Sequence, residues 1–319
     1  MTLSRNRTRT SRGSLLALLP VAALALTACT ADPTADTAGG AGGSGDEQTA
    51  VAEQQLDQGL HDQLPAEIRD AGRMVAVNTG SFPPYTIVAS DNAALQGATA
   101  DLSVAVGQIL GVDIEHETID GLASVLSGMD AGRYDLSMGP IGDFPERQEQ
   151  ATFVDWVQEF VVFAVPAGNP EGIEDLATAC GTKVAVQAAG SAEQVIKEQS
   201  QTCVAEGQPA IDVQSYKDQP SSILAVQSGR ADAFFSSQAP LTYFVEQSDG
   251  ALELTGTGEA NGFDDLFQGA VVPKDSPLGD VLLQAFEQLH ENGTYDAVMD
   301  KWGLEGNKLS DPGLNLGGS

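Results

Sequence analysis

Two short passages of this chain are written twice. Arg73-Met74-Val75-Ala76-Val77 returns as Lys183-Val184-Ala185-Val186, and the turn Gly132-Arg133-Tyr134-Asp135 returns as Gly229-Arg230-Ala231-Asp232. Two echoes in the same order point to two lobes of similar plan. Each apolar run reads as a buried strand, and amphipathic stretches lie between the runs. Leu102, Ala105, Val106 and Ile109 follow the i, i+3, i+4, i+7 spacing of a helix, with Asp101 as its N-cap and Gly111 as its stop. Val112, Ile114 and His116 alternate as a strand, and Leu122, Val125, Leu126 and Met129 repeat the helical spacing before Gly132. Strand–helix–strand–helix order predicts a parallel α/β architecture. A cleft at the carboxyl ends of such strands is where these folds take small molecules.

The 319 residues suffice for about two domains with a real core. Fifteen Lys and Arg face 45 Asp and Glu, a formal charge of −30. That balance excludes a nucleic-acid partner, which needs a basic footprint, and disfavours attachment to an anionic membrane through charge. Three His and three Cys leave little room for a metal centre, and neither a metal nor a cofactor is expected.

The N-terminus reads as an address. Arg5, Arg7, Arg9 and Arg12 precede an apolar run from Leu15 to Ala25, which is short for a membrane span and right for a signal peptide. It ends in Leu26-Thr27-Ala28-Cys29, which resembles the bacterial lipobox. That resemblance implies a signal peptide over residues 1–28, an acylated Cys29 and an extracytoplasmic protein anchored by lipid. Residues 29–63 read as a flexible tether and the start of the first helix. The letters Gly40-Ala41-Gly42-Gly43-Ser44-Gly45 lack the flanking strand and helix of a dinucleotide site.

From 64 to 304 the chain resembles the extracellular solute-binding proteins of family 3, the amino-acid receptors of ABC importers. The resemblance rests on Leu64-Pro65-Ala66-Glu67-Ile68-Arg69, Phe82-Pro83-Pro84-Tyr85, the two Gly-Arg turns, Pro145-Glu146-Arg147, Cys180-Gly181-Thr182 with the strand after it, Asn292-Gly293-Thr294-Tyr295 and Lys301-Trp302-Gly303. It implies an α/β, two-lobed periplasmic-binding-protein-like fold of type II, with lobes joined by two crossing strands near residues 160–165 and 269–273. Lobe 1 would span about 73–164 and 265–305, lobe 2 about 165–264, and a loose tail 305–319. It also implies a small-molecule solute, a permease in the membrane as partner, and a monomer.

The same resemblance nominates ligand contacts. Arg147 would fork onto a ligand carboxylate, a task that suits parallel guanidinium N–H donors. Phe82 would wall the pocket, with Tyr85 beside it and Thr79 as a polar contact. Ala189-Gly190-Ser191 stands where the family has a turn, with Ser191 able to N-cap the next helix. Gly142 and Phe144 stand where the family has hydroxyls, and Leu122 where it has an aromatic. Ser237 occupies the position of the acid that takes an α-ammonium. A Ser cannot neutralise a buried cation, so either Asp143, Asp264 or Asp265 substitutes, or the ligand lacks an α-ammonium in the usual place. Trp156 is either a pocket wall or core.

Cys180 and Cys203 are expected to pair in an oxidising compartment, two free buried thiols being the alternative. His61, His116 and His290 fall away from the nominated positions, and the chain has no GxSxG or HExxH. Binding without chemistry is therefore expected, with a dehydratase-like cleft enzyme or a ligand sensor as alternatives.

Overall fold

The computed structural model describes residues 51–88 and 94–318. The signal peptide, Cys29 and the tether up to residue 50 lie outside the described residues. The described chain starts with α1 (Gln58–Gln63) and α2 (Ala66–Ala71), followed by β1 (Arg73–Asn78), β2 (Ser81–Phe82), β3 (Thr86–Val88) and β4 (Leu95–Gln96). Then come α3 (Ala98–Leu110), β5 (Asp113–Thr118), α4 (Leu122–Asp130), β6 (Ser137–Gly142), α5 (Pro145–Gln148) and the long β7 (Ala151–Glu159). After Phe160 the chain enters a second sheet with β8 (Val161–Pro166), β9 (Lys183–Gln187), α6 (Ser191–Ala205) and β10 (Asp212–Tyr216). α7 (Gln219–Gln227), β11 (Ala233–Ser237), α8 (Gln238–Glu246) and β12 (Leu252–Thr255) complete that lobe. The chain returns through β13 (Leu266–Pro273), α9 (Leu278–Glu291), α10 (Thr294–Lys301) and β14 (Lys308–Leu314).

The lobe 2 sheet has the order β10-β9-β11-β8-β12. Lobe 1 pairs β1 with β5 in parallel and holds a separate sheet β14-β7-β13-β6. The parallel expectation holds for β1 with β5 and for β9 with β10 and β11. It fails for β6, β7, β13 and β14, whose pairings are all antiparallel. β6 and β7 run the same way but do not pair, because β13, returning from lobe 2, inserts between them and runs antiparallel to both.

The echoed turns do the same job in both lobes. Asp135 accepts the backbone N–H of Val75 at 2.7 Å, and Asp232 accepts that of Lys183 at 2.8 Å. Each Asp thus ties the end of a helix–turn unit to the echoed strand of its own lobe, β1 or β9.

Helix starts differ from the sequence reading. α3 begins at Ala98 behind Gly97, so Asp101 sits in its first turn rather than at the cap. There it accepts from Lys301 Nζ at 2.8 Å and Trp302 Nε1 at 2.7 Å, binding α3 to the end of α10. In α9, Leu278, Val281, Leu282, Ala285, Phe286 and Leu289 are buried, one apolar stripe facing lobe 1. Phe286 stacks on Trp156, which is fully buried and therefore core rather than pocket wall. Truncating such a side chain costs about 3–5 kcal/mol.

Three boundaries are corrected. Residues 269–273 do not cross between lobes: β13 pairs with β7 from Leu266 to Pro273, and the return crossing lies in residues 256–265. The tail beyond 305 is not loose. β14 pairs with β7, Leu316 N–H donates to Asp155 at 2.9 Å, and Gly317 N–H donates to Asp143 at 2.7 Å. Residues 51–63 are seated rather than free. Gln54 N–H donates to Gln108 at 2.8 Å, Asp57 N–H to the Ile109 carbonyl at 2.8 Å, and Gln288 to the Asp57 carboxylate at 2.7 Å. All of these partners belong to lobe 1.

Candidate functional site

Strand ends and helix starts from both lobes converge on one enclosed cleft. Lobe 1 contributes Asn78 at the end of β1 and Thr79 after it, Phe82 and Thr86 from the hairpin, Leu122 and Val125 of α4, and the β6 residues Ser137 and Gly139 to Gly142. Lobe 2 contributes Val161, Gln187, the start of α6 at Gly190-Ser191-Ala192, Gln219, Ser236 and Ser237. Arg147 and Gln268 complete the lining. This is the placement expected at the carboxyl ends of α/β strands.

Arg147 is the one charged side chain of that lining among the described residues. Its Nη1 donates to the Gly142 carbonyl at 2.8 Å and its Nη2 to the Ala189 carbonyl at 3.1 Å, one acceptor from each lobe. The remaining N–H groups can fork onto a carboxylate. Burial pulls its pKa below the ordinary value, while the charges of Glu146 and Asp143 oppose that. The guanidinium stays protonated regardless. The guanidinium also lies over the Phe144 ring, 5.1 Å from its centroid.

Of the nominated residues, Arg147, Phe82, Thr79, Leu122, Gly142, Ser191 and Ser237 line the cleft. Tyr85, Phe144 and Ala189 do not. Tyr85 is fully buried behind Phe82, with ring centroids 5.5 Å apart, and its hydroxyl donates to Glu159. Phe144 turns its ring towards the lobe 2 core, 6.1 Å from Phe263. Ala189 adopts φ 61° and points outward, so only its carbonyl reaches Arg147. Ser191 is the first residue of α6 and not its cap, which is Gly190.

None of the three proposed substitute acids lines the cleft. Asp143 is buried and turned to the tail, accepting from Gln148 and Gly317. Asp264 and Asp265 are exposed. Glu159, at the end of β7, is buried, and burial pushes its pKa up to about 7 against the opposing hydrogen bond from Tyr85.

Sequence reasoning missed the amides. Gln219 Nε2 donates to Gln187 Oε1 at 2.8 Å and to Ser236 Oγ at 2.9 Å, and Ser236 Oγ donates to Gln219 Oε1 at 3.1 Å. Gln268 Nε2 donates to Ser237 Oγ at 3.4 Å, while Gln268 Oε1 is buried with no partner. A signal existed: Asn78 and Gln187 each follow the repeated Val-Ala-Val, so the echo places both at the cleft end of a strand.

Elsewhere, Cys180 and Cys203 form a disulfide with Cα atoms 5.7 Å apart, tying α6 to the loop before β9. No cluster of three or more potential metal ligands occurs among the described residues, and no helix there is long and apolar enough to cross a membrane. No His lines the cleft among the described residues. His116 is held neutral by burial, its pKa down to about 4.

The model of bacterial extracellular solute-binding proteins, family 3, matches residues 74–305. Similar curated proteins include the arginine-binding protein ArgT of Corynebacterium glutamicum, 28% identical over 257 residues, covering 79% of this chain and 81% of that protein. The L-cystine-binding protein TcyJ of Escherichia coli K12 is 22% identical over 240 residues, covering 74% of this chain and 84% of its own. Among solved structures, an ancestral arginine-binding protein bound to glutamine has a TM-score of 0.64 at 26% identity, covering 73% of this chain and 99% of that one.

Proposed function

Because the chain belongs to the bacterial extracellular solute-binding proteins of family 3, we propose that it is the lipid-anchored receptor of an ABC importer. It captures a small amino acid or related carboxylate between its lobes and delivers it to a membrane permease. The observation that carries this reading is Arg147, the lone lining charge among the described residues, held by carbonyls of both lobes in a shared cleft. Relatives named for arginine and cystine binding agree with an amino-acid-sized carboxylate ligand.

The mechanism follows from the two crossings, at Phe160 and in residues 256–265. In the open form the ligand carboxylate meets Arg147 on lobe 1. Closure then brings in the α6 start and the lobe 2 amides. The ligand shifts this equilibrium by its differential affinity for the closed form and by no more. The lining offers a general acid–base catalyst no carboxylate or imidazole among the described residues, which supports binding without chemistry.

Upstream, Arg5 to Cys29 supports a cleaved signal peptide, with Cys29 as the acylated first residue of a monomeric extracytoplasmic protein. Labelled palmitate should be incorporated by the natural chain and not by Cys29→Ala.

Thermal unfolding against a panel of amino acids and small carboxylates tests the capture reading. A ligand at 100 times its Kd adds about 2.7 kcal/mol. Arg147→Ala should abolish that shift. Stabilisation that survives the substitution would remove Arg147 from its role as carboxylate anchor.

A further inference from the structure

We propose that Gln268, steered by Ser237, is the cleft's acceptor for a ligand donor group, and that the site therefore takes small carboxylates without net positive charge. This rests on the reading of the cleft as the capture site with Arg147 as anchor.

The charge count comes first. Arg147 supplies one positive charge, and a ligand carboxylate cancels it. A ligand with a guanidinium or ammonium side chain would bring a further cation into a lining that holds no carboxylate among the described residues. Each nearby acid is committed or remote. Asp143 receives the tail and Gln148, Glu159 receives the Tyr85 hydroxyl and the Phe160 N–H, and Asp264 and Asp265 face solvent. An enclosed cation without a counter-charge is strongly disfavoured.

The amides then divide into two groups. Gln187, Gln219 and Ser236 are joined to one another, and the Oε1 atoms of both glutamines have a donor. Gln268 is different. Its amide nitrogen is held by Ser237, and its carbonyl oxygen is buried and unpaired. Buried acceptors in folded proteins find donors, and the cost of leaving one empty is the reason. A ligand N–H or O–H entering the cleft would fill it. A neutral carbonyl accepts such a bond but does not neutralise a full charge, so uncharged amide or hydroxyl groups fit best.

The test is calorimetric titration of the purified natural protein with L-glutamine, L-arginine, L-lysine and glutaramate, the des-amino analogue of glutamine. Glutaramate, which brings no cation, should bind at least tenfold more tightly than arginine or lysine, with glutamine, which brings only its α-ammonium, between them. Gln268→Glu should invert that order, and the near-isosteric Gln268→Met should weaken glutaramate and glutamine by roughly tenfold or more. Arginine or lysine binding best to the natural protein, with Arg147→Ala abolishing it, would overturn the charge inference and leave the capture reading standing. Selective binding of glutaramate and glutamine that is unchanged in Gln268→Met would overturn the role of Gln268. No binding by any small carboxylate would overturn the capture reading itself, and the inference with it.

Discussion

The ring of Phe144 occupies the space that a side chain on residue 142 would need: a Cβ on Gly142 would lie 2.5 Å from Phe144 Cε2. The glycine and the aromatic are thus one adaptation. Gly142 makes room, Phe144 fills it, and Arg147 packs on the ring. Gly142→Ala should therefore displace Phe144 and weaken ligand binding by about tenfold, within the usual 1–3 kcal/mol cost of overpacking. Adding Phe144→Leu should restore most of the loss, which a double-mutant cycle of binding free energies will show.

Asp155 is fully buried beside Asp143, and burial together with the Asp143 charge pushes its pKa up to about 8. Folding thus favours its protonated form. The associated stability is complete below the ordinary carboxylate range near 4 and is lost as pH rises through about 8. Asp155→Asn keeps a donor and an acceptor but carries no charge. Its melting temperature should exceed that of the natural protein by clearly more at pH 8.5 than at pH 5. A difference that does not grow with pH would refute the assignment.

Tyr85→Phe removes the hydroxyl donor to Glu159 and leaves the stack on Phe82 in place. Glu159 is largely ionised at pH 8.5 and protonated at pH 5.5. A buried carboxylate that loses a hydrogen bond costs about 1.5–3 kcal/mol, and a neutral acid less. Urea unfolding should therefore show the larger loss at the higher pH.

Reducing the Cys180–Cys203 bridge opens a loop whose ends are 23 residues apart. About 3 kcal/mol of stability should go with it. Cys203 is fully buried, so slow reduction without denaturant is the expected kinetic signature. Unfolding curves with and without reductant measure both.

Much of this was legible in the residues. Helical spacing located α3 and α4, and the repeated Gly-Arg turns located equivalent corners in two lobes. Sheet direction was not legible at β13. Its run from Leu266 to Val272 is buried on both faces, and such a run reads alike in either direction. The tail escaped because backbone N–H groups hold it to Asp143 and Asp155, and backbone leaves no side-chain pattern. Tyr85, Phe144 and Ala189 were misplaced because a motif fixes position along the chain and not the direction of a side chain. The amides around Gln219 were missed because Gln usually marks nothing but surface.

The hydrogen bonds that hold residues 51–63 run to lobe 1, mainly to α3, α9 and α10. Whatever restrains the chain upstream of Val51 is thus moored to lobe 1 alone. Lobe 2 is joined to lobe 1 covalently by the two crossings and otherwise by contacts across the cleft such as Arg147 with Ala189 and Lys217 with Asp120, and works as the moving jaw of a clamp whose other jaw is bolted down. A distance probe between Val51 and any lobe 1 surface should stay fixed as ligand arrives, and one between Val51 and α7 should shorten.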